Sequence, residues 1–292
     1  MLLRDPDTGA RTVVATGRTR RLAASSGRCP LCRGGLEAPD PYVTPYAFAN
    51  RWPALPAGHC LLVAYSGEHT ADLAELPSPA VAAVVDVWAD RSHALAEKDG
   101  VEYVLVFENR GRGAGATLDH PHSQIFGLPV VPDRVGRCAA GACGRCSPAD
   151  HALVVEEGPS WSVSVPTAPR SAYSLRIAAR RHAAALSDLT AAERRELAAL
   201  VQRSVRRLDA VFDGPMPYHL WIEQGPPGGT VGHVTVFVAG LGVAKGATRI
   251  LGAAETATGL HFVPEAPADV ARRLRTVRGA DTMSDLKEKK HI

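Results

Sequence analysis

The sequence predicts an α+β protein made of two successive halves, each an antiparallel sheet covered by a helix. Three observations predict it. Four cysteine and histidine ligand types recur in the same order after 113 or 114 residues. Strand-like alternation outnumbers helical periodicity, with one long amphipathic stretch late in each half. The composition, 46% hydrophobic and 22% charged over 292 residues, is that of an ordinary globular chain with core enough for two packed units. The expected division is 1–135 for the first half, 136–278 for the second and 279–292 for a solvated tail ending in Lys287, Glu288, Lys289 and Lys290.

In order along the chain, the repeat begins with two CxxC pairs, Cys29/Cys32 and Cys143/Cys146. After each comes a histidine and a leucine pair: His69 with Leu73 and Leu76, then His182 with Leu186 and Leu189. Each leucine pair leads to a helix. In the first, Ser78 is expected as N-cap with Pro79 at N1, and Val81, Val84, Val85, Trp88 and Leu95 share a face. In the second, Thr190 and Glu193 form a capping box. Leu197, Leu200, Val201, Val205, Leu208 and Phe212 face the core, and Gly214 ends the helix. Alternating segments follow at 101–108 and 124–130 in the first half, and at 218–223 and 233–238 in the second. His120 and His233, 113 residues apart, stand at the late strand of each half.

A structural zinc takes four sulfur and imidazole ligands in a tetrahedron, commonly two from a tight CxxC turn and two from elsewhere. Cys29, Cys32, His69 and His120 make one such set; Cys143, Cys146, His182 and His233 make the other. Zinc is the expected cofactor, with the second site resting on the repeat. Cys60 and Cys138 are left over, and Cys138 lies close enough to the second pair to compete as a ligand.

The chemistry points to the segment running from Asn109 through Gly111, Gly113 and Gly115 to His120-Pro121-His122-Ser123-Gln124. Glycines let the backbone come close to a ligand, and the amides of such a turn can cradle phosphate. On a strand, His120, His122 and Gln124 point to one face. With His120 taken by the metal, His122 is held beside it as a nucleophile. Its attacking nitrogen is unprotonated if the other nitrogen donates to a backbone carbonyl. Gln124 can donate to phosphoryl oxygens without acting as a base. The repeat places Thr235 opposite His122, so the second half has metal ligands but no candidate nucleophile.

These motifs resemble those of the galactose-1-phosphate uridylyltransferase family, a branch of the histidine-triad superfamily. The resemblance starts at Asp5-Pro-Asp-Thr-Gly9 and is strongest from Asn109 to Gln124. It implies two histidine-triad-like halves, a homodimer, and transfer of a nucleoside monophosphate, UMP above all, through a covalent nucleotidyl-His122. It implies substrate contacts at Arg18, Arg21, Asn50, Asn109, Gly115 and Thr117, with Gln124 orienting phosphate. Glu255 falls on the family's sugar-contacting segment. The chain departs from the family at His233-Val-Thr235, where many relatives have His-x-His. It departs again at Ala254, where an aromatic residue usually stands before the glutamate. The second departure puts galactose in question but leaves the nucleotide chemistry intact.

The expected partners are a nucleotide sugar and a sugar 1-phosphate. The competing readings are a nucleotide-sugar phosphorylase that accepts inorganic phosphate, a dinucleotide hydrolase, and a zinc-stabilised nucleotide sensor without turnover. A formal charge of +3, spread along the chain, gives no nucleic-acid footprint. No apolar run is long enough for a membrane span, and the first 21 residues lack a signal-peptide pattern, so a cytoplasmic location is expected.

Overall fold

The computed structural model describes residues 2–15, 29–38, 43–67, 69, 72–133, 135, 143–244, 247–249 and 251–277. Arg18, Arg21, Cys138 and the expected tail lie outside the described residues.

The first strands, β1 (Leu2–Arg4) and β2 (Arg11–Val13), form a small hairpin. Then come β3 (Tyr46–Ala49), β4 (Cys60–Ala64), α1 (Ser78–Ala96), β5 (Tyr103–Arg110) and β6 (His122–Leu128). The second half holds β7 (Val154–Glu157), β8 (Trp161–Ser164), β9 (Tyr173–Ala179), α2 (Ala191–Phe212), β10 (Tyr218–Glu223) and β11 (Thr235–Gly240). A second hairpin, β12 (Gly242–Ala244) with β13 (Ala247–Thr248), precedes the short α3 (Ala253–Thr258) and α4 (Pro267–Thr276).

Nine strands make one continuous antiparallel sheet in the order β3-β4-β6-β5-β10-β11-β9-β8-β7. The two sequence halves therefore share a sheet, where the sequence suggested a separate sheet in each. They join where β5 pairs with β10, with Asn109 opposite His219 and Phe107 opposite Trp221. Outward from that seam, β5-β6-β4-β3 on one side is matched by β10-β11-β9-β8 on the other.

One face of the sheet carries the core. Val63, Val104, Val106, Ile125, Leu175, Ile177, Leu220 and Val236 are buried against α1 and α2. The apolar stripe of α1 is buried as its spacing predicts, with Trp88 fully inside. Trp88 Nε1 donates to Ser123 Oγ at 2.8 Å, which satisfies both polar groups in the core. Gln202 of α2 donates from Nε2 to the carbonyls of Leu73 (2.9 Å) and Leu76 (2.8 Å), so α2 is tied to the lead-in of α1.

Two helix ends differ from expectation. Pro77 is the N-cap of α1, and Ser78 lies one residue inside, donating to Gln202 Oε1 at 3.1 Å. The serine hydroxyl goes to a tertiary partner that local spacing cannot show. The C-cap of α2 is Asp213, left-handed at φ 56°, one residue before Gly214. The capping box of Thr190 and Glu193 is present as expected. Of the strands that follow the helices, β5 and β11 begin two residues later than predicted, β6 begins two residues earlier, and 218–223 agrees.

Candidate active site

The sheet's second face carries the candidate site. Because β6 begins at His122, the alternation that buries Ser123 and Ile125 against α1 turns His122 and Gln124 to the opposite face. Pairing fixes their neighbours: Ala64 opposite His122, and Leu62 and Phe107 on either side of Gln124. The same antiparallel register carries Asn109 to the level of His122, with His219 next across the seam.

His122 and Gln124 are both buried. His122 Nδ1 lies 2.8 Å from the carbonyl oxygen of His120. A carbonyl can only accept, so Nδ1 carries the proton and Nε2 the lone pair. This is the tautomer a nucleophile at phosphorus requires. Gln124 Oε1 is buried with no hydrogen-bond partner among the described residues. A buried unsatisfied amide costs roughly 1–3 kcal/mol. Rotating the amide by half a turn puts its NH2 donors at the same place.

The glycine turn closes the end of β5. Residues 112–114 form a single 3-10 turn between Gly111 and Gly115, both at φ 78°. Side chains rarely adopt that backbone, which accounts for glycine at both ends. The carbonyl of Ala114 accepts from His219 Nε2 at 3.0 Å, which anchors the turn to β10. The turn and His219 line a cavity of about 510 Å3 together with Trp221, Arg249, Glu255 and Phe262. His122 and Gln124 lie one strand away and are not in its wall. Sequence reasoning missed His219 and Trp221. The alternation of β10 is their signal, since it leaves Tyr218, Leu220 and Ile222 to the core.

The remaining predicted residues are spread around this row. Asn50 is buried just beyond β3, where its Oδ1 accepts from Trp52 N at 2.9 Å. Thr117 is exposed after the glycine turn. Glu255 is buried, accepting from Arg249 at 2.5 Å and from the Gly252 amide at 3.1 Å. Its carboxylate thus has local partners while it lines the cavity.

Both predicted metal sets are brought together. In each, the four ligand atoms lie within 4.8 Å of one another. Cys32 Sγ is 3.3 Å from His69 Nδ1 and 3.5 Å from His120 Nδ1. His120 Nε2 donates to the Ser66 carbonyl at 3.0 Å, so its Nδ1 lone pair faces the sulfurs. In the second set, His182 and His233 donate from Nε2 to the carbonyls of Thr230 (3.0 Å) and Ala179 (2.8 Å). Their Nδ1 atoms lie 3.5–3.7 Å from Cys143 or Cys146 Sγ. This outer hydrogen bonding orients imidazoles for a metal, and the donor set suits zinc. Cys143 is disulfide-bonded, so its sulfur is available as a ligand only when reduced.

Behind the row, on the core face, lies a charged network. Arg110 is bound to Asp209 at 2.5 Å and to Asp72. Glu108 accepts from Tyr65 (2.7 Å) and Tyr218 (2.9 Å). Burial raises the Glu108 carboxyl to a pKa of about 7, against the opposing pull of the two tyrosine hydroxyls and Arg110.

The family "Galactose-1-phosphate uridyl transferase, N-terminal domain" matches residues 37–132. The chain is 33% identical to a galactose-1-phosphate uridylyltransferase of Streptomyces lividans, over 77% of this chain and 70% of that protein. It is 29% identical to the Thermotoga maritima protein of the same name, over 90% and 93%. An ADP-glucose phosphorylase of Arabidopsis thaliana is 24% identical over 74% of this chain and 64% of its own. Among solved structures, a uridylyltransferase superposes with TM-score 0.85 at 24% identity, covering 94% of this chain and 97% of that one.

Proposed function

Because the chain belongs to the galactose-1-phosphate uridylyltransferase family of transferases, we propose that it moves a nucleoside monophosphate, UMP first, between a nucleotide sugar and a sugar 1-phosphate, with His122 as covalent carrier. The observation that carries this reading is the 2.8 Å contact from His122 Nδ1 to the His120 carbonyl. It leaves Nε2 unprotonated on a buried, rigid strand.

In the first half reaction, His122 Nε2 attacks the α-phosphorus. A P–N bond forms, the P–O bond to the sugar 1-phosphate breaks, and the leaving phosphate keeps the electron pair. In the second, a phosphate oxygen of the acceptor forms the new P–O bond, and the P–N electrons return to Nε2. The His120 carbonyl stabilises the positive imidazole ring of the intermediate. Gln124, its amide turned NH2 outward, donates to the phosphoryl oxygens. Asn109, Gly115 and Thr117 contact the phosphates, Arg18 and Arg21 neutralise them, Asn50 holds the nucleoside side, and Glu255 meets the sugar. Bound zinc would be held by Cys29, Cys32, His69 and His120, and by Cys143, Cys146, His182 and His233, and would supply cross-linking of the chain. The mirrored strand order supports two histidine-triad-like halves, 1–135 and 136–278, derived by duplication. The protein acts as a cytoplasmic homodimer.

The test is intact-protein mass spectrometry after mixing with a panel of nucleotide sugars and no acceptor. A mass increase of one nucleoside monophosphate, absent in His122→Ala, supports the mechanism and identifies the base. Absence of an adduct from folded, metal-loaded protein with every donor overturns it. A second reading, phosphorolysis, is favoured by the similarity to the Arabidopsis ADP-glucose phosphorylase and by Ala254 in place of an aromatic sugar contact. Discharging the adduct with inorganic phosphate against a sugar 1-phosphate separates the two readings.

A further inference from the structure

The open face of the sheet carries a row of side chains that crosses the seam between the halves. Asn109 of β5 pairs with His219 of β10, and the register of β5 on β6 brings His122 level with them. Strands lie about 4.8 Å apart, so His219 stands about 10 Å from His122, two strands over. Asn50 lies on the other side of His122, just beyond β3. A nucleotide sugar with its α-phosphorus at His122 and its nucleoside towards Asn50 therefore directs its second phosphate and its sugar towards β10. A pyrophosphate and a sugar ring span about that length. The cavity of about 510 Å3 opens there, with His219 and Trp221 among its lining residues.

His219 is half-buried, and its two ring nitrogens have different surroundings. Nε2 lies 3.0 Å from the Ala114 carbonyl, which can only accept, so the proton sits on Nε2. Nδ1 then holds a lone pair. It has no hydrogen-bond partner among the described residues and is not sealed in the interior, so it opens to the cavity that the residue lines. Other polar side chains of the wall are already engaged: Arg249 with Glu255 at 2.5 Å, Ser171 Oγ with Ser174 Oγ at 3.0 Å, and Arg112 with Asp119 at 3.5 Å. The glycine turn is fixed from both sides. His219 holds the Ala114 carbonyl, and Gly113 packs so closely that a Cβ there would fall 2.9 Å from Thr248 Cγ2. His219 Nδ1 is thus a positioned acceptor that calls for a donor. A phosphate dianion offers none; a sugar hydroxyl does.

We propose that His219 selects the sugar: Nδ1 accepts a hydrogen bond from one ring hydroxyl of the nucleotide sugar, while Nε2 holds the glycine turn. The inference rests on the reading of the chain as acting on a nucleotide sugar with its nucleoside on the Asn50 side. The hydroxyl keeps its proton, and no bond is made or broken at His219. The second half, with Thr235 in place of the nucleophile, thus supplies sugar recognition to the chemistry of the first.

The test is equilibrium binding, read by calorimetry, of UDP-glucose, UDP-galactose, ADP-glucose and forms of each lacking one hydroxyl. The protein is His122→Ala, which binds the ligand without transferring it. One deoxy form should bind this parent about tenfold more weakly than its complete sugar, the scale of one lost hydrogen bond. Adding His219→Gln puts an NH2 donor where Nε2 stood and leaves no acceptor at the Nδ1 position. The complete sugar should then bind no better than that deoxy form, while the other deoxy forms keep their ratios to the complete sugar. Adding His219→Asn puts an oxygen where Nδ1 stood and releases the turn. Every ligand should weaken, and the difference at the selected hydroxyl should remain. A purely structural His219 would weaken all ligands by one factor in both variants. The proposal is overturned if His219→Gln leaves every ratio unchanged, or if no hydroxyl removal weakens binding to the parent. Failure of the His122 reading shows separately, as absence of a nucleotidyl adduct on the unsubstituted protein, and leaves these binding ratios readable.

Discussion

At the residue scale, the site depends on two side chains that are poor choices for stability. His122 is a buried imidazole whose Nδ1 donates to a backbone carbonyl, and Gln124 is a buried amide whose oxygen is unsatisfied among the described residues. Replacing His122 with alanine should abolish the nucleotidyl adduct and slow exchange by roughly 10³-fold or more, as expected when a covalent carrier is lost. Mass spectrometry and exchange of labelled sugar 1-phosphate check this. Gln124→Met keeps the volume but removes the unsatisfied group. Its midpoint of thermal unfolding should equal or exceed that of the parent, while exchange falls by on the order of 100-fold from loss of one donor to the transferred phosphoryl group. A variant that lost stability and kept activity would show that Gln124 has a packing role instead.

At the element scale, β5 serves two faces at once. Toward the open face it presents Phe107 and Asn109. Toward the helices it presents Glu108 and Arg110, whose partners come from β10, α2 and the segments before α1. Because burial raises the Glu108 pKa from its ordinary 4.5 to about 7, the fold binds this proton more tightly than the unfolded chain does. The contribution to stability is full below pH 4.5, declines as pH rises towards 7, and is flat above that. Denaturant unfolding across this range should show that decline, and Glu108→Gln should flatten it. Helix α2 offers a simpler test. Its capping box satisfies the Glu193 amide through Thr190 Oγ1 at 3.2 Å and the Thr190 amide through the Glu193 carboxylate at 2.7 Å. Thr190→Ala should therefore cost about 1 kcal/mol in denaturant unfolding, with exchange activity unchanged.

At the scale of the whole molecule, the two cysteine–histidine clusters join points far apart in sequence. Cys29 meets His120, and Cys146 meets His233. Metal bound there would remove much of the freedom of the unfolded chain, and such sites can contribute roughly 10 kcal/mol. Cys29→Ser should bind one metal equivalent fewer by elemental analysis and unfold at a lower temperature. At low temperature, where it is still folded, it should still form the His122 adduct. If metal content and melting were both unchanged, the first cluster would not be a metal site. Arg110 acts in parallel, binding Asp72 of the first half to Asp209 of the second behind the seam between β5 and β10.

Much of this was legible in the sequence because it is written in short-range periodicity. The apolar stripe of α1, the capping box of α2, the alternation that turns His122 and Gln124 to one face, and both ligand sets follow from spacings that local backbone geometry converts directly into position. Strand starts shifted by two residues, because pairing partners rather than propensity decide where a ladder begins. What only the tertiary structure decided is what lies beside what across long separations. The union of both halves in one sheet, His219 beside Asn109 and the Glu108–Tyr65–Tyr218 network all depend on β5 pairing with β10. That pairing is chosen by the burial of a whole sheet face against two helices, a collective energy that no local stretch of sequence records.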